Sequence, residues 1–434
     1  MSQLQPTIRF LPLMLIVVGG CIGGGIFITP SQVAAEAPYA SLIILLWIIG
    51  GIIALTGALT FSELGAMFPK AGGVYVFLKE AYGPYPAFLF GWTNLMAVTS
   101  GALAALSLAF ASFIALMVPM SDTAQLFLAA GTLAAATVIN VLGVRLGEAF
   151  TALFTSLKVL GILVIVVCGL FLSASPHTID FSLPSFDGNM AMHFMLGLTG
   201  VYWAYGGWHH ATYVSAEVIN PQKNLSRAMI AGTLIVMTVY LLGNMAYLNA
   251  MPVEGIAASK RVAADMMESI LPGWGGKIIV GIVCVSVFGS IAVFTMTAPR
   301  IYFAMAADKV FFKQLTYVHP KFKTPMFAII LQSVWAIVLL FAWKTFSDLI
   351  SYVSFTETVF LVLAGIALFL LRRKVKEKPV FRVPLSPFTP VLYILLSAVF
   401  VINGMIMKPE QGLAALVLFA AGTIVFLLFR RSVG

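Results

Sequence analysis

Charge is what this sequence has least of. Of 434 residues only 9% are Asp, Glu, Lys or Arg, against roughly a quarter in a soluble globular domain. So few charges cannot cover a water-facing surface, which excludes an ordinary soluble fold of this length. Cysteine is scarce as well. Cys21, Cys168 and Cys284 all sit inside apolar runs, with no disulfide framework and no metal-ligand spacing, and read as packing residues. What is there in abundance is apolar: 61% hydrophobic residues and a mean hydropathy of +1.02. The remaining charge clusters between long apolar runs, so the bilayer is the solvent for this chain.

A spanning helix needs about 20 mainly apolar residues. Twelve stretches qualify: 10–33, 42–67, 84–118, 124–142, 149–173, 192–216, 226–250, 275–307, 325–343, 347–371, 388–407 and 411–430. The third and eighth exceed one straight crossing and predict tilt or continuation past the headgroups. Residues 9–35 superficially resemble a signal peptide, with Arg9, an apolar run, then Ala34 and Ala35. Glycines and Pro30 interrupt that run and many spans follow, which argues against it. If the N-terminus is cytoplasmic, only Lys260, Arg261, Lys277, Lys344 and Lys408 fall outside. The other Lys and Arg, Lys158 within a span excepted, fall inside, and the run from Arg372 to Arg382 reads as a topology-fixing loop. Both termini are therefore expected in the cytoplasm, and the net charge of +9 needs no nucleic acid to explain it.

Two spans carry glycines at their centres. The first reads Val18-Gly19-Gly20-Cys21-Ile22-Gly23-Gly24-Gly25-Ile26-Phe27. Three consecutive glycines disfavour a helix, and an unwound stretch in hydrocarbon survives only if buried in protein or lining a polar cavity. Close helix packing is the competing reading. The sixth span, with Trp203-Ala204-Tyr205-Gly206-Gly207-Trp208, shifts the balance toward a functional break. Gly24 and Tyr205 are 181 residues apart, and the same offset carries the third span onto the eighth. The chain thus reads as one domain over 1–434 made of two five-helix halves, 10–173 and 192–371, plus two trailing helices over 388–430. An odd number of spans per half inverts the second half, and paired broken helices are the best sequence pointer to a transporter site. A break offers free amides at one half-helix end and free carbonyls at the other. A zwitterion matches both: its carboxylate on the amides of Gly23, Gly24 and Gly25, its ammonium on the carbonyls of Cys21, Trp203, Ala204 and Gly206.

These motifs carry a resemblance. Gly23-Gly24-Gly25-Ile26-Phe27 resembles the Gly-Ser-Gly-Ile-Phe signature of the amino acid–polyamine–organocation superfamily. Trp203 to Trp208, followed by Glu217 and Asn220-Pro221, looks like the sixth helix of its L-type amino-acid exchangers. Phe61-Ser62-Glu63-Leu64, Pro69-Lys70-Ala71-Gly72-Gly73, Lys158, Pro299-Arg300 and Thr324-Pro325 match as well. The resemblance spans essentially the whole chain. It implies an all-α membrane protein of twelve transmembrane helices in the LeuT-type 5+5 inverted repeat, with helices 1 and 6 interrupted, and amino-acid transport by alternating access. Two departures stand out. The signature serine is Gly24, which loses a hydroxyl but keeps the amide. Animal relatives join a single-pass glycoprotein through a cysteine after the third span; 119–123 has none, so no disulfide-linked accessory subunit is expected and a prokaryotic, inner-membrane protein is implied.

Lys158 is too deep to snorkel, lying ten residues or roughly 15 Å past Glu148. It either ties carbonyls structurally or, as the resemblance implies, stands where sodium-coupled relatives hold their ion, bridging the first and eighth spans. A fixed ammonium there implies sodium-independent transport, and a titrating one implies proton coupling. Trp203 is expected to close the site, making with Ala102 and Ala105 a short pocket for a small neutral side chain, with Phe294 as the opposite wall. Tyr240 is expected near the substrate carboxylate by resemblance, with an ordinary backbone partner for a buried tyrosine as the alternative. His209 is a possible pH sensor, Glu357 has no assigned role, and no His/Glu metal spacing is evident. No cofactor is implied. An intramembrane enzyme would need a catalytic pair at depth, and Glu63, Lys158, Glu357, His209 and His210 show no partnering in sequence. A channel would need a continuous polar pore. The expectation is exchange of small neutral L-amino acids such as alanine, serine, threonine or cysteine, with a proton-coupled symporter as the alternative.

Overall fold

The computed structural model describes residues 4–173, 177–182, 188–343, 346–375, 379–407 and 409–433. Lys344, Lys376, Lys378 and Lys408, used in the loop-charge reading, lie outside the described residues. Among those described the chain is helical throughout, apart from one isolated parallel bridge between Ile8 and Val218. The first half holds α1 (Phe10–Cys21), α2 (Gly25–Glu36), α3 (Ala40–Met67), α4 (Val74–Tyr82) and α5 (Pro84–Thr93). A π-helical stretch, Asn94–Val98, leads into α6 (Thr99–Ala115), then α7 (Asp122–Val141) and α8 (Val144–Phe171). The second half holds α9 (Gly188–Ala204), the single turn α10 (His210–Tyr213), α11 (Pro221–Ala250), α12 (Val253–Ala258) and α13 (Val262–Ile270). It continues with α14 (Gly275–Thr297), α15 (Pro299–Ala307), α16 (Met326–Trp343) and α17 (Phe346–Lys374), and α18 (Phe388–Met407) and α19 (Pro409–Val433) trail behind.

Local chemistry sets many of these ends. The Ser121 hydroxyl accepts from the Ala124 amide at 3.2 Å and caps α7, with Asp122 against the positive end of its dipole. Pro69 pushes Phe68 out of the helical region, so α3 stops at Met67. Asn220 takes the left-handed conformation (φ 50°) and hands over to Pro221 at the first position of α11. Outside the long helices, the Glu268 carboxylate accepts from the amides of Gly276 and Gly273, which hold it below its usual range and anchor the start of α14.

Nine helical stretches among the described residues are long and apolar enough to cross a membrane, with Met326–Ala342 a shorter apolar one. The face a helix turns to lipid is visible in α8. Leu153, Leu157, Leu160 and Val164 are exposed, while Thr151, Thr155, Lys158 and Ile162 are buried, the two sets offset at helical spacing. Lys158 therefore faces the interior. Packing is reciprocal between the halves. α3 lies along α11, and α6 against α14; α2 meets α9, and α1 meets α10. α8 touches α11 and α14 just as α17 touches α3 and α6.

The structure departs from the sequence reading in three places. The stretch 84–118 is continuously helical over Pro84–Ala115 but carries a π-helical step at Asn94–Val98, which propensity cannot reveal. The stretch 192–216 starts earlier, at Gly188, and does not resume as a long helix after its break; only α10 and a 3-10 turn, Ser215–Glu217, follow. Arg372 is not merely a loop charge. Its guanidinium grips Glu63 of α3 through Nε and Nη2, both at 2.7 Å, and Glu63 also accepts from the Val383 amide at 2.7 Å. A second fork joins Arg300 to Glu217 at 2.7 and 2.9 Å, with both side chains almost wholly buried. Arg300 also reaches the Met296 carbonyl, and the Glu217 carbonyl accepts from the amides of Thr7 and Ile8, both at 2.8 Å. This pair ties the N-terminal segment and the turn before α11 to the start of α15 and the end of α14.

Removing one partner of such a pair strands a buried charge, at a cost of about 3–5 kcal/mol. Arg300→Met is expected to lower thermal stability in detergent by that order, and Glu217→Leu with Arg300→Met to recover a large part of it. Equal melting temperatures for the single and double variants would contradict this account.

Candidate functional site

The two helix breaks meet. α1 ends at Cys21 and α2 begins at Gly25, while α9 ends at Ala204 and its chain turns through Tyr205 to His209 before α10. They approach so closely that side chains are excluded at chosen points. A Cβ on Gly20 would stand 2.8 Å from the Gly207 carbonyl oxygen, and one on Gly25 would stand 3.1 Å from Ala204 Cα. Gly207 also has a φ of +105°, a conformation that side chains rarely adopt, and a Cβ there would run into the Gly20 backbone. Gly24 is different: a Cβ there meets Ile28 Cδ1 at an ordinary 3.6 Å.

A cavity of about 110 Å³ opens at this junction. Cys21, Gly23, Gly24, Gly25, Ala102, Ala105, Trp203, Ala204, Gly206 and Phe294 all line it. Ten of the residues singled out by sequence are thus brought together. Trp203 stands against the start of α2, with Cζ3 3.5 Å from where a Gly25 Cβ would be. Phe294 stacks on His210 at 4.4 Å between centroids.

Lys158 and Tyr240 do not line the cavity; they hold its frame. The Lys158 ammonium donates to the carbonyls of Gly19 (3.1 Å) and Ile22 (2.6 Å) and to Ser290 Oγ (3.0 Å). Those carbonyls are the ones the break leaves without helical amides. The structural tie and the bridge from the first span to the eighth are one and the same arrangement. The Tyr240 hydroxyl lies 2.9 Å from the Cys21 carbonyl and 3.1 Å from that of Ala204. Tyr240 thus takes backbone partners at the carbonyl ends of both breaks.

The hydrogen bonds also narrow the set of free backbone groups. Cys21 O accepts from the Gly23 amide at 3.0 Å as well as from Tyr240, which occupies both its lone pairs. Trp203 O accepts from the Gly206 amide at 3.0 Å, and Gly23 O from Ser286 Oγ at 2.9 Å. The Gly23 amide and the Cys21 carbonyl are therefore engaged. The amides opening α2, at Gly24 and Gly25, and the second lone pair of Ala204 O are among the groups the break leaves over.

Sequence reasoning missed three features of the wall. Gly20 and Gly207 belong to it because backbones touch there, which only their proximity reveals. Thr99 and Val98 reach it from the π-helical step. The third concerns charge. His209, His210 and Glu357 line the cavity, with His209 Nε2 3.0 Å from Glu357 Oε1. The expectation that these residues lack partners is therefore wrong: α17 folds Glu357 against the turn after α9, 148 residues away in sequence.

The glycine geometry makes a direct prediction. Gly24→Ser is expected to leave expression and melting close to those of the unmodified protein. Gly207→Ala is expected to destabilise it by at least the roughly 1–3 kcal/mol of an enforced unfavourable backbone conformation, before the clash with Gly20 is counted. Thermal melting of the two variants side by side checks it, and an unperturbed Gly207→Ala would refute the close approach.

The chain matches the amino acid permease family model over residues 8–429. It is 34% identical to the serine/threonine exchanger SteT of Bacillus subtilis (strain 168), over 91% of this chain and 90% of that protein. It is 32% identical to the b(0,+)-type amino acid transporter 1 of Mus musculus, over 99% of this chain and 88% of that one. The human cystine/glutamate transporter is 29% identical over 90% and 78%. Two helix breaks closing on a glycine-lined cavity, a family model covering nearly the whole chain and exchangers among its relatives place this protein in the amino acid permease family, a family of multi-pass membrane transporters.

Proposed function

We propose that the protein exchanges small neutral L-amino acids (alanine, serine, threonine or cysteine) across a cell membrane by alternating access, without sodium. The observation that carries this reading is the cavity itself, bounded by the amide end of α2 and the carbonyl end of α9. The substrate carboxylate rests on the amides of Gly24 and Gly25, and its ammonium meets the carbonyls of Trp203, Ala204 and Gly206. Size supports a small side chain. A cavity of about 110 Å³ is well below the roughly 300–1,000 Å³ of drug-sized sites. Trp203, Ala102 and Ala105 set that limit.

The same reading takes the fold as twelve spans in a LeuT-type 5+5 inverted repeat, supported by reciprocal packing of the two halves. Lys158 replaces a coupling cation with its own ammonium, held on Gly19 O and Ile22 O. The asymmetry of basic loop residues favours cytoplasmic termini, in the inner membrane of a prokaryote. All three cysteines are buried, which favours a carrier working without a disulfide-linked partner. The name of the bacillary serine/threonine exchanger points to similar substrates.

Uptake of labelled serine into sodium-free proteoliposomes tests this directly. Uptake is expected only with amino acid trapped inside; uptake into empty vesicles driven by a pH gradient would instead establish a symporter. Lys158→Ala is expected to reduce exchange at least tenfold, and wild-type rates would remove its assigned role. Trp203→Phe is expected to let leucine or phenylalanine compete with serine; an unchanged inhibition profile would overturn the short-pocket argument.

A further inference from the structure

Recognition of a zwitterion leaves one group of side chains in the cavity wall without a task. His209, His210 and Glu357 each bring a ligand atom within 4.8 Å of the others. They come from separate parts of the chain: His209 ends the turn after α9, His210 opens α10, and Glu357 lies in the middle of α17. Both histidines are almost fully buried, at 1% and 3% exposure, while Glu357 keeps partial access from the cavity.

A simple His209–Glu357 hydrogen bond accounts for part of this arrangement but not all of it. That bond engages His209 Nε2 and leaves His210, in the same wall, without a task. His210 is held in one tautomer. Thr297 Oγ1 spends its hydrogen on the Val293 carbonyl at 2.8 Å, so it can only accept from His210 Nδ1, 2.7 Å away. The proton of neutral His210 is therefore on Nδ1, and Nε2 presents a bare lone pair. An imidazole whose far nitrogen donates to a fixed acceptor is the arrangement that orients a metal ligand. Two imidazoles and one carboxylate form a donor set that suits zinc and its neighbours among the divalent transition metals.

We propose that His209, His210 and Glu357 form a binding site for a divalent transition-metal ion of the zinc type, with a fourth position open to the cavity. Tetrahedral ligands at about 2.0–2.1 Å from zinc lie roughly 3.4 Å apart. His209 Nε2 and Glu357 Oε1 are already 3.0 Å apart, so small side-chain rotations complete the site. The ion would clamp the turn after α9 to α17. Arrest of exchange by the ion rests on the carrier reading above; binding does not.

Binding is therefore measured first, on the full chain in lipid nanodiscs. Titration with Co2+ is expected to give visible absorption bands of one bound ion, bleached by Zn2+, and Zn2+ is expected to raise the melting temperature. Glu357→Gln and His209→Gln should each weaken binding at least tenfold, while Cys21→Ser and His193→Gln leave it intact. Thr297→Val keeps all three ligands and removes only the support of His210; it should weaken binding by about 10–100-fold, which covers the case of a misfolded ligand variant. Absence of a Zn2+-sensitive Co2+ signal in the unmodified protein, or the same signal in Glu357→Gln, would leave only a structural hydrogen bond and overturn the site.

Discussion

A helix broken inside hydrocarbon must find new partners for the backbone groups it frees, each worth several kcal/mol if left bare. In this protein that demand is met first by Lys158. Its ammonium has three donors and no acceptor, and all three are spent on Gly19 O, Ile22 O and Ser290 Oγ. The carbonyls lie at the last turn of α1, the negative end of its dipole, which favours a cation there. One buried charge thus satisfies the carbonyl side of the first break and leaves the amide side, at the start of α2, open to an anion. Tyr240 does the equivalent with a neutral group, spanning Cys21 O and Ala204 O. The polar character of the site comes from arranging these leftovers rather than from charged side chains aimed at a ligand.

The same economy explains where the other buried charges lie. Glu217 with Arg300, and Glu63 with Arg372, form two-pronged pairs at helix ends, away from the cavity. Each charge there has a partner of opposite sign and further backbone contacts, the condition under which burial is tolerated. They pin elements from different parts of the chain: α3 to α17, and the turn before α11 to the start of α15. The space between these pins is the glycine junction, where two backbones touch with no side chains between them. Ties at the ends and a thin contact at the centre fit the alternating access proposed above.

Much of this was legible in the sequence, for identifiable reasons. Apolar runs of about 20 residues register as helices whatever they pack against, so a helix stands in each of the twelve expected stretches. Glycines at the centre of two spans 181 residues apart mark breaks because the pairing outweighs close helix packing. Lys158 betrayed its interior position by its distance from other charged residues, Glu148 being ten residues before it. Other features were hidden because they depend on which helices meet. Arg372 read as a loop charge since its partner, Glu63, is 309 residues away. The π-helical step at Asn94–Val98 carries no composition signal. The acceptors of Tyr240, Cys21 O and Ala204 O, were hidden because resemblance names a neighbourhood, not an acceptor.

The sequence by itself determined the solvent, the helices and the places where two of them break, because hydropathy and glycine content are local properties that survive without a fold. The tertiary structure decided which freed backbone groups remain available, because that depends on side chains arriving from other helices. Cys21 O and the Gly23 amide are taken, while the Gly24 and Gly25 amides and one lone pair of Ala204 O are left. It also decided that Glu357, from α17, meets His209 and His210 at the cavity wall, a meeting that no spacing along the chain encodes.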